Sequence, residues 1–153
     1  MALPDFKDKI KTSLKPDKIK HFSKGSKIGN ILLTRIRLDR SYLNLHKFTI
    51  GHSDTPECMC HAKQESSLHF IIDCFLYSNE CQTLFNLVEQ FIPNFNRLNK
   101  RQKYEALVFG INTDNPDYNY TNTNITIAVQ NYIMKTKRFS DDFIHQHFPL
   151  TCI

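Results

Sequence analysis

The chain has 153 residues, 41% of them hydrophobic and 12% aromatic, which suffices for one domain with a modest core. Its formal charge of +5 is lopsided: residues 1–47 hold twelve Lys or Arg against four Asp or Glu, and the rest hold eight against eleven. No apolar run approaches the roughly 18 residues needed to span a bilayer, no apolar leader follows the initiator Met, and the cysteine count is odd. The expectation is a protein of a reducing compartment, cytoplasmic or nuclear, neither secreted nor membrane-bound.

Residues 1–26, broken by Pro4, Pro16 and Gly25, read as a flexible basic tail or linker with at most a short helix around Phe6 to Leu14. A helical domain is expected over 27–139, followed by a C-terminal tail over 140–153. Ile28, Ile31, Leu32, Ile36 and Leu38 recur near helical spacing and predict a helix from about Lys27 to Asp39. Its polar side carries Arg35 and Arg37, with Arg40 just beyond, so these three are the candidate phosphate contacts. A short helical piece over Tyr42 to Phe48 follows, and then the turn formers Gly51, Ser53, Asp54 and Pro56.

Cys58, Cys60, His69 and Cys74 come next, a CCHC pattern with one, eight and four residues between successive members. Thiolate and imidazole suit zinc, and four such groups close a tetrahedron and give a structural site, a knuckle spanning 52–77. His61 competes as a ligand, and Cys81 lies one helical stretch beyond Cys74. Cys152 reads as an unpaired surface thiol. Ser66 or Ser67 is expected to cap a helical element that carries His69 and Cys74 toward the other two cysteines.

Downstream, Leu84, Phe85, Val88, Phe91 and Ile92 define one face of a helix ending before Pro93. Tyr104, Leu107, Val108 and Ile111 define another, with Gly110 as its stop. The polar run from Asn112 to Asn124 reads as a loop. Ile125, Ala128, Val129, Tyr132 and Ile133 mark a last helix, with Lys135, Lys137 and Arg138 complementing its C-terminal dipole. Phe139-Ser140-Asp141-Asp142 superficially matches the aromatic-x-Asp-Asp core of polymerase sites. It lacks the flanking apolar strands, and a helix cap by Ser140 explains it better. The fold expected is all-α.

The runs Leu32-Leu33-Thr34-Arg35-Ile36-Arg37, Ser41-Tyr42-Leu43-Asn44, Ile50 to Cys58 and His69 to Tyr77 together resemble the zinc-binding C-terminal region of non-LTR retrotransposon reverse transcriptases. The resemblance covers roughly residues 28–92. It implies that Cys58, Cys60, His69 and Cys74 hold a structural zinc, and that the region assists RNA or DNA binding beside a polymerase domain. Many members have two residues between the first two cysteines where this chain has only Met59, which makes His61 a fallback ligand. Many have Gly where this chain has Asp39. The polymerase itself, with its carboxylate-held Mg²⁺ ions, is not in the sequence, so no catalytic residue and no small-molecule substrate is expected. The alternative is a zinc-stabilised protein-interaction module that makes no direct contact with nucleic acid.

Overall fold

The computed structural model describes residues 24–140. Among these, every regular element is helical: α1 (Lys27–Arg37), α2 (Asn44–Thr49), a π-helical segment (His69–Asp73), α3 (Ser78–Glu89), α4 (Lys100–Phe109) and α5 (Asn119–Thr136), with 3₁₀ turns at Phe75–Tyr77, Phe95–Arg97 and Pro116–Tyr118. The all-α expectation holds. The candidate tails lie largely outside the described residues, as do the Phe6 to Leu14 element and Cys152. None of the described helices is long and apolar enough to cross a membrane.

Helix α5 is the axis of the fold, packing against α1, α3 and α4. Its buried stripe of Ile125, Val129, Tyr132 and Ile133 meets Leu32, Leu33 and Ile36 of α1, Leu84 and Val88 of α3, and Leu107 and Val108 of α4 in one continuous core. The α-helical stops and starts follow local chemistry. Ser26 caps α1 by accepting from the Gly29 amide at 3.0 Å, and Asn99 and Gln102 form a capping box on α4. Gly110 ends α4 at φ 82, as its position predicts. Lys24 to Ser26, assigned to the tail, are tied to the core by Gln130. That side chain accepts from the Ser26 amide at 3.2 Å and donates to the Lys24 carbonyl at 2.8 Å.

Two expectations are corrected here. The polar run to Asn124 is not all loop, because α5 begins at Asn119. Asn122 supplies the reason: its buried amide accepts from the Ile111 amide and donates to the Ile111 carbonyl, both at 2.8 Å, as another peptide group would. A polar side chain therefore occupies a core position, and apolar periodicity misses it. In α1 the buried stripe is Gly29, Leu32, Leu33, Ile36 and Arg37, whereas Ile28 and Leu38 are exposed. Arg37 sits four residues after Leu33, on the inner face.

Candidate metal centre

The cysteine loop that follows α2, up to Gln64, is built on backbone turns rather than on apolar packing. The Cys58 amide donates to the Ala62 carbonyl at 3.0 Å, and the His61 amide returns to the Cys58 carbonyl at 2.9 Å. These bonds fold Cys58 to Ala62 into a tight loop, with His61 at φ 70 in the left-handed region. The Glu65 amide closes the base of the loop on the Pro56 carbonyl at 2.8 Å.

The other half of the site comes from the π segment. Ser66 accepts from the His69 amide at 3.1 Å, the capping role expected of this serine or its neighbour. The Cys74 amide then reaches back five residues to the His69 carbonyl at 2.8 Å. In an α-helix, residues five apart point about 140° away from each other. The wider π turn brings Cys74 back over His69 and lets both face the cysteine loop. The Tyr132 hydroxyl on α5 donates to the Phe70 carbonyl at 2.6 Å and anchors this segment to the core.

Cys58, Cys60, His69 and Cys74 meet as a result, with all four ligand atoms within 4.8 Å of one another. Cys58 Sγ lies 3.6 Å from Cys74 Sγ, and Cys60 Sγ lies 3.2 Å from His69 Nε2. Cys58 and Cys74 are buried, Cys60 and His69 half-buried. Burial pushes the Cys58 thiol up and the Cys74 thiol up to about 12. Burial also raises Cys60, but hydrogen bonds from the Ala62 amide, the Cys58 and Cys74 thiols and the Phe75 amide outweigh it and leave this thiol low. Three sulfurs and an imidazole converging in this way can hold a metal ion, which would displace the thiol protons as it bound.

Of the competing ligands, His61 is exposed at the loop tip and does not belong to the convergent group. Cys81 is buried in the core, its Sγ donating to the Ile71 carbonyl at 3.5 Å and the Ile72 carbonyl at 3.7 Å, and burial raises it to about 11. The three candidate phosphate contacts divide. Arg40 is exposed, and Arg35 is half-buried with its guanidinium 5.3 Å above the Tyr42 ring. Arg37 is only 6% exposed and donates through Nε to the Val108 carbonyl at 2.7 Å, so it ties α1 to α4. Desolvation pulls its pKa down to about 9, which still leaves it charged at neutral pH.

The sequence reading misses the brace beneath the cysteine loop. Glu65, 2% exposed, receives two bonds from Arg138, Nε to Oε1 and a terminal nitrogen to Oε2, each 2.7 Å. Its Oε2 also accepts from the Asn44 amide at the start of α2 at 2.7 Å, while the Asn44 side chain donates to the Glu57 carbonyl at 2.6 Å. One carboxylate thus joins the loop, α2 and the end of α5. Phe139 is buried edge-on against Phe70 at 5.5 Å, which makes it a core residue; Asp141 and Asp142 lie outside the described residues. No protein-family model matches this chain, and neither does any curated protein or solved structure.

Proposed function

We propose that the chain is a non-catalytic zinc-binding module, derived from the C-terminal region of a non-LTR retrotransposon reverse transcriptase, that assists RNA or DNA binding. The convergence of Cys58, Cys60, His69 and Cys74 carries this reading. A tetrahedral zinc with Zn–S bonds of ~2.3 Å sets its sulfurs about 3.8 Å apart, close to the 3.6 Å between Cys58 and Cys74. Four protein ligands fill the coordination sphere and leave no position for a reacting water, so the metal's role is to fix the loop. The reverse transcriptase polymerase domain is a candidate partner. The basic residues beside the loop supply the electrostatics for phosphate binding.

The alternative, a zinc-stabilised docking module, has its own support. Met59, Phe75 and Leu76 flank the ligands and are 78%, 80% and 47% exposed, an apolar set of the kind that partner surfaces cover. Two measurements test the pair of readings. Metal analysis of protein purified without added metal should give one zinc per chain, and cobalt substitution should give the intense visible bands of tetrahedral thiolate ligation. Binding of labelled RNA and duplex DNA should then weaken steeply with salt. Binding absent at low salt would leave the docking module, and absence of both metal and binding would remove both readings.

A further inference from the structure

The corner where α1 hands over to α2 gathers basic groups by backbone geometry. Asp39 adopts φ 55 after the helix, so its amide bonds to the Ile36 carbonyl at 3.1 Å and the Arg40 amide to the Arg35 carbonyl at 2.9 Å. This is a Schellman closure, and it brings the Arg40 backbone back to that of Arg35 although the two lie five positions apart. Tyr42, also left-handed at φ 62, supports the Arg35 guanidinium on one side and packs edge-on against His46 at 5.2 Å on the other.

The Tyr42 amide donates to His46 Nδ1 at 3.2 Å, so the neutral ring carries its proton on Nε2 and offers a donor. His52 follows α2 through a turn in which its amide bonds to the Lys47 carbonyl at 2.7 Å. Burial, and then the nearby charges of Arg40, His52 and Arg35, hold His46 below its ordinary value, with Asp39 opposing them. Two carboxylates line the cavity beside His46: Asp39, whose Oδ1 already accepts from the Ser67 hydroxyl at 3.3 Å, and Glu65, which is taken by Arg138. Two non-glycine residues held left-handed within four positions are a backbone cost that clusters at functional sites.

We propose that Arg35, Arg40, His46 and His52, gathered around His46 and Tyr42, bind the phosphodiester backbone of a nucleic acid. The proposal rests on the nucleic-acid reading above and gives it an address that excludes Arg37. A guanidinium already stacked on an aromatic ring loses less freedom on meeting a phosphate, and contacts to phosphates carry no base information. Binding at this corner is therefore sequence-independent and salt-sensitive.

The test is fluorescence anisotropy with labelled oligouridylate and a labelled DNA duplex across a salt series, on the full zinc-loaded chain. The double variant Arg40→Gln/His52→Gln alters exposed side chains and should keep the wild-type melting curve. It should lose about tenfold in affinity, and its log–log salt slope should be shallower by about one for each phosphate that is no longer engaged. A control double variant, Arg97→Gln/Lys135→Gln, alters two exposed cations elsewhere and should stay near wild type. Equal losses in the two double variants, or an unchanged slope in the first, would overturn the address while leaving nucleic-acid binding intact. Complete displacement of the probe by inorganic phosphate at matched ionic strength would point to a free-phosphate site and overturn it too. If the wild-type chain binds neither probe, the reading beneath the proposal fails with it.

Discussion

The cysteine loop and the helical core are held by different forces. In the core, α5 buries an apolar stripe against three helices, so its stability derives from area removed from water and is spread over many side chains. Between Ser53 and Gln64 the loop contributes few buried groups; Met59 is open to solvent, and only Cys58 is buried. Its geometry depends on four converging ligand atoms, a handful of backbone bonds and the Glu65–Arg138 brace. The Cys/His cluster and one largely buried ion pair take the place of an apolar core in this loop, and a metal bound by the cluster would add coordination to them.

If the proposed zinc is bound, its removal should expose this difference most sharply. Structural zinc in small peptides binds with an apparent energy of about 10–16 kcal/mol, comparable to the whole stability of a small domain. Chelation, or Cys58→Ser, should therefore release the bonded amides of Cys58, His61 and Glu65 to hydrogen exchange while α5 stays protected. Uniform loss of protection would show that loop and core form one cooperative unit. Next in size is the brace. Glu65→Ala leaves the half-buried Arg138 guanidinium with only the Asn44 side chain in place of its carboxylate and should cost about 3 kcal/mol in urea denaturation. A loss below about 1 kcal/mol would mean that the brace behaves as a surface pair.

Within the core, Asn122→Ala strips both hydrogen-bond partners from the Ile111 peptide and should cost about 2 kcal/mol, measured the same way. It should leave zinc affinity unchanged, because the bonds of Asn122 run to Ile111 rather than to the ligand loop. The smallest change should be a gain. His61 holds φ 70 at the loop tip, so His61→Gly should stabilise the zinc-loaded chain by about 1 kcal/mol. The same variant asks whether His61 is a ligand: loss of zinc affinity would mean that it is.

The sequence announces what local chemistry decides. The four convergent residues, a serine cap at Ser66 or Ser67, the Gly110 stop and Tyr104, Leu107 and Val108 of the α4 face follow from side-chain type and short-range spacing; Ile111 does not, since it lies past the Gly110 stop and outside α4. The brace does not, because Glu65 and Arg138 lie 73 residues apart and each alone looks like an ordinary surface charge. Arg37 misleads for a related reason: charge suggests the outer face, while its spacing from Leu33 and Gly29 puts it on the inner one. That spacing is the signal that could have found it. Asn122 carries the same signal, three residues before Ile125 and seven before Val129 on the buried stripe, but its polar side chain hides it, and its partner is a backbone eleven residues away.

The π segment lets the ligand spacing carry one residue more than an α-helix would use. The bond from the Cys74 amide skips five positions where an α-helix skips four, and the wider turn keeps Cys74 over His69. The same residues wound as an α-helix would turn Cys74 about 140° away from His69. Deleting Ile72 would put the cysteine four positions after the histidine, where an ordinary α-helical turn sets the two on one face about 40° apart. At this position the ligand pairing tolerates the loss of a residue better than a change that favours α over π winding.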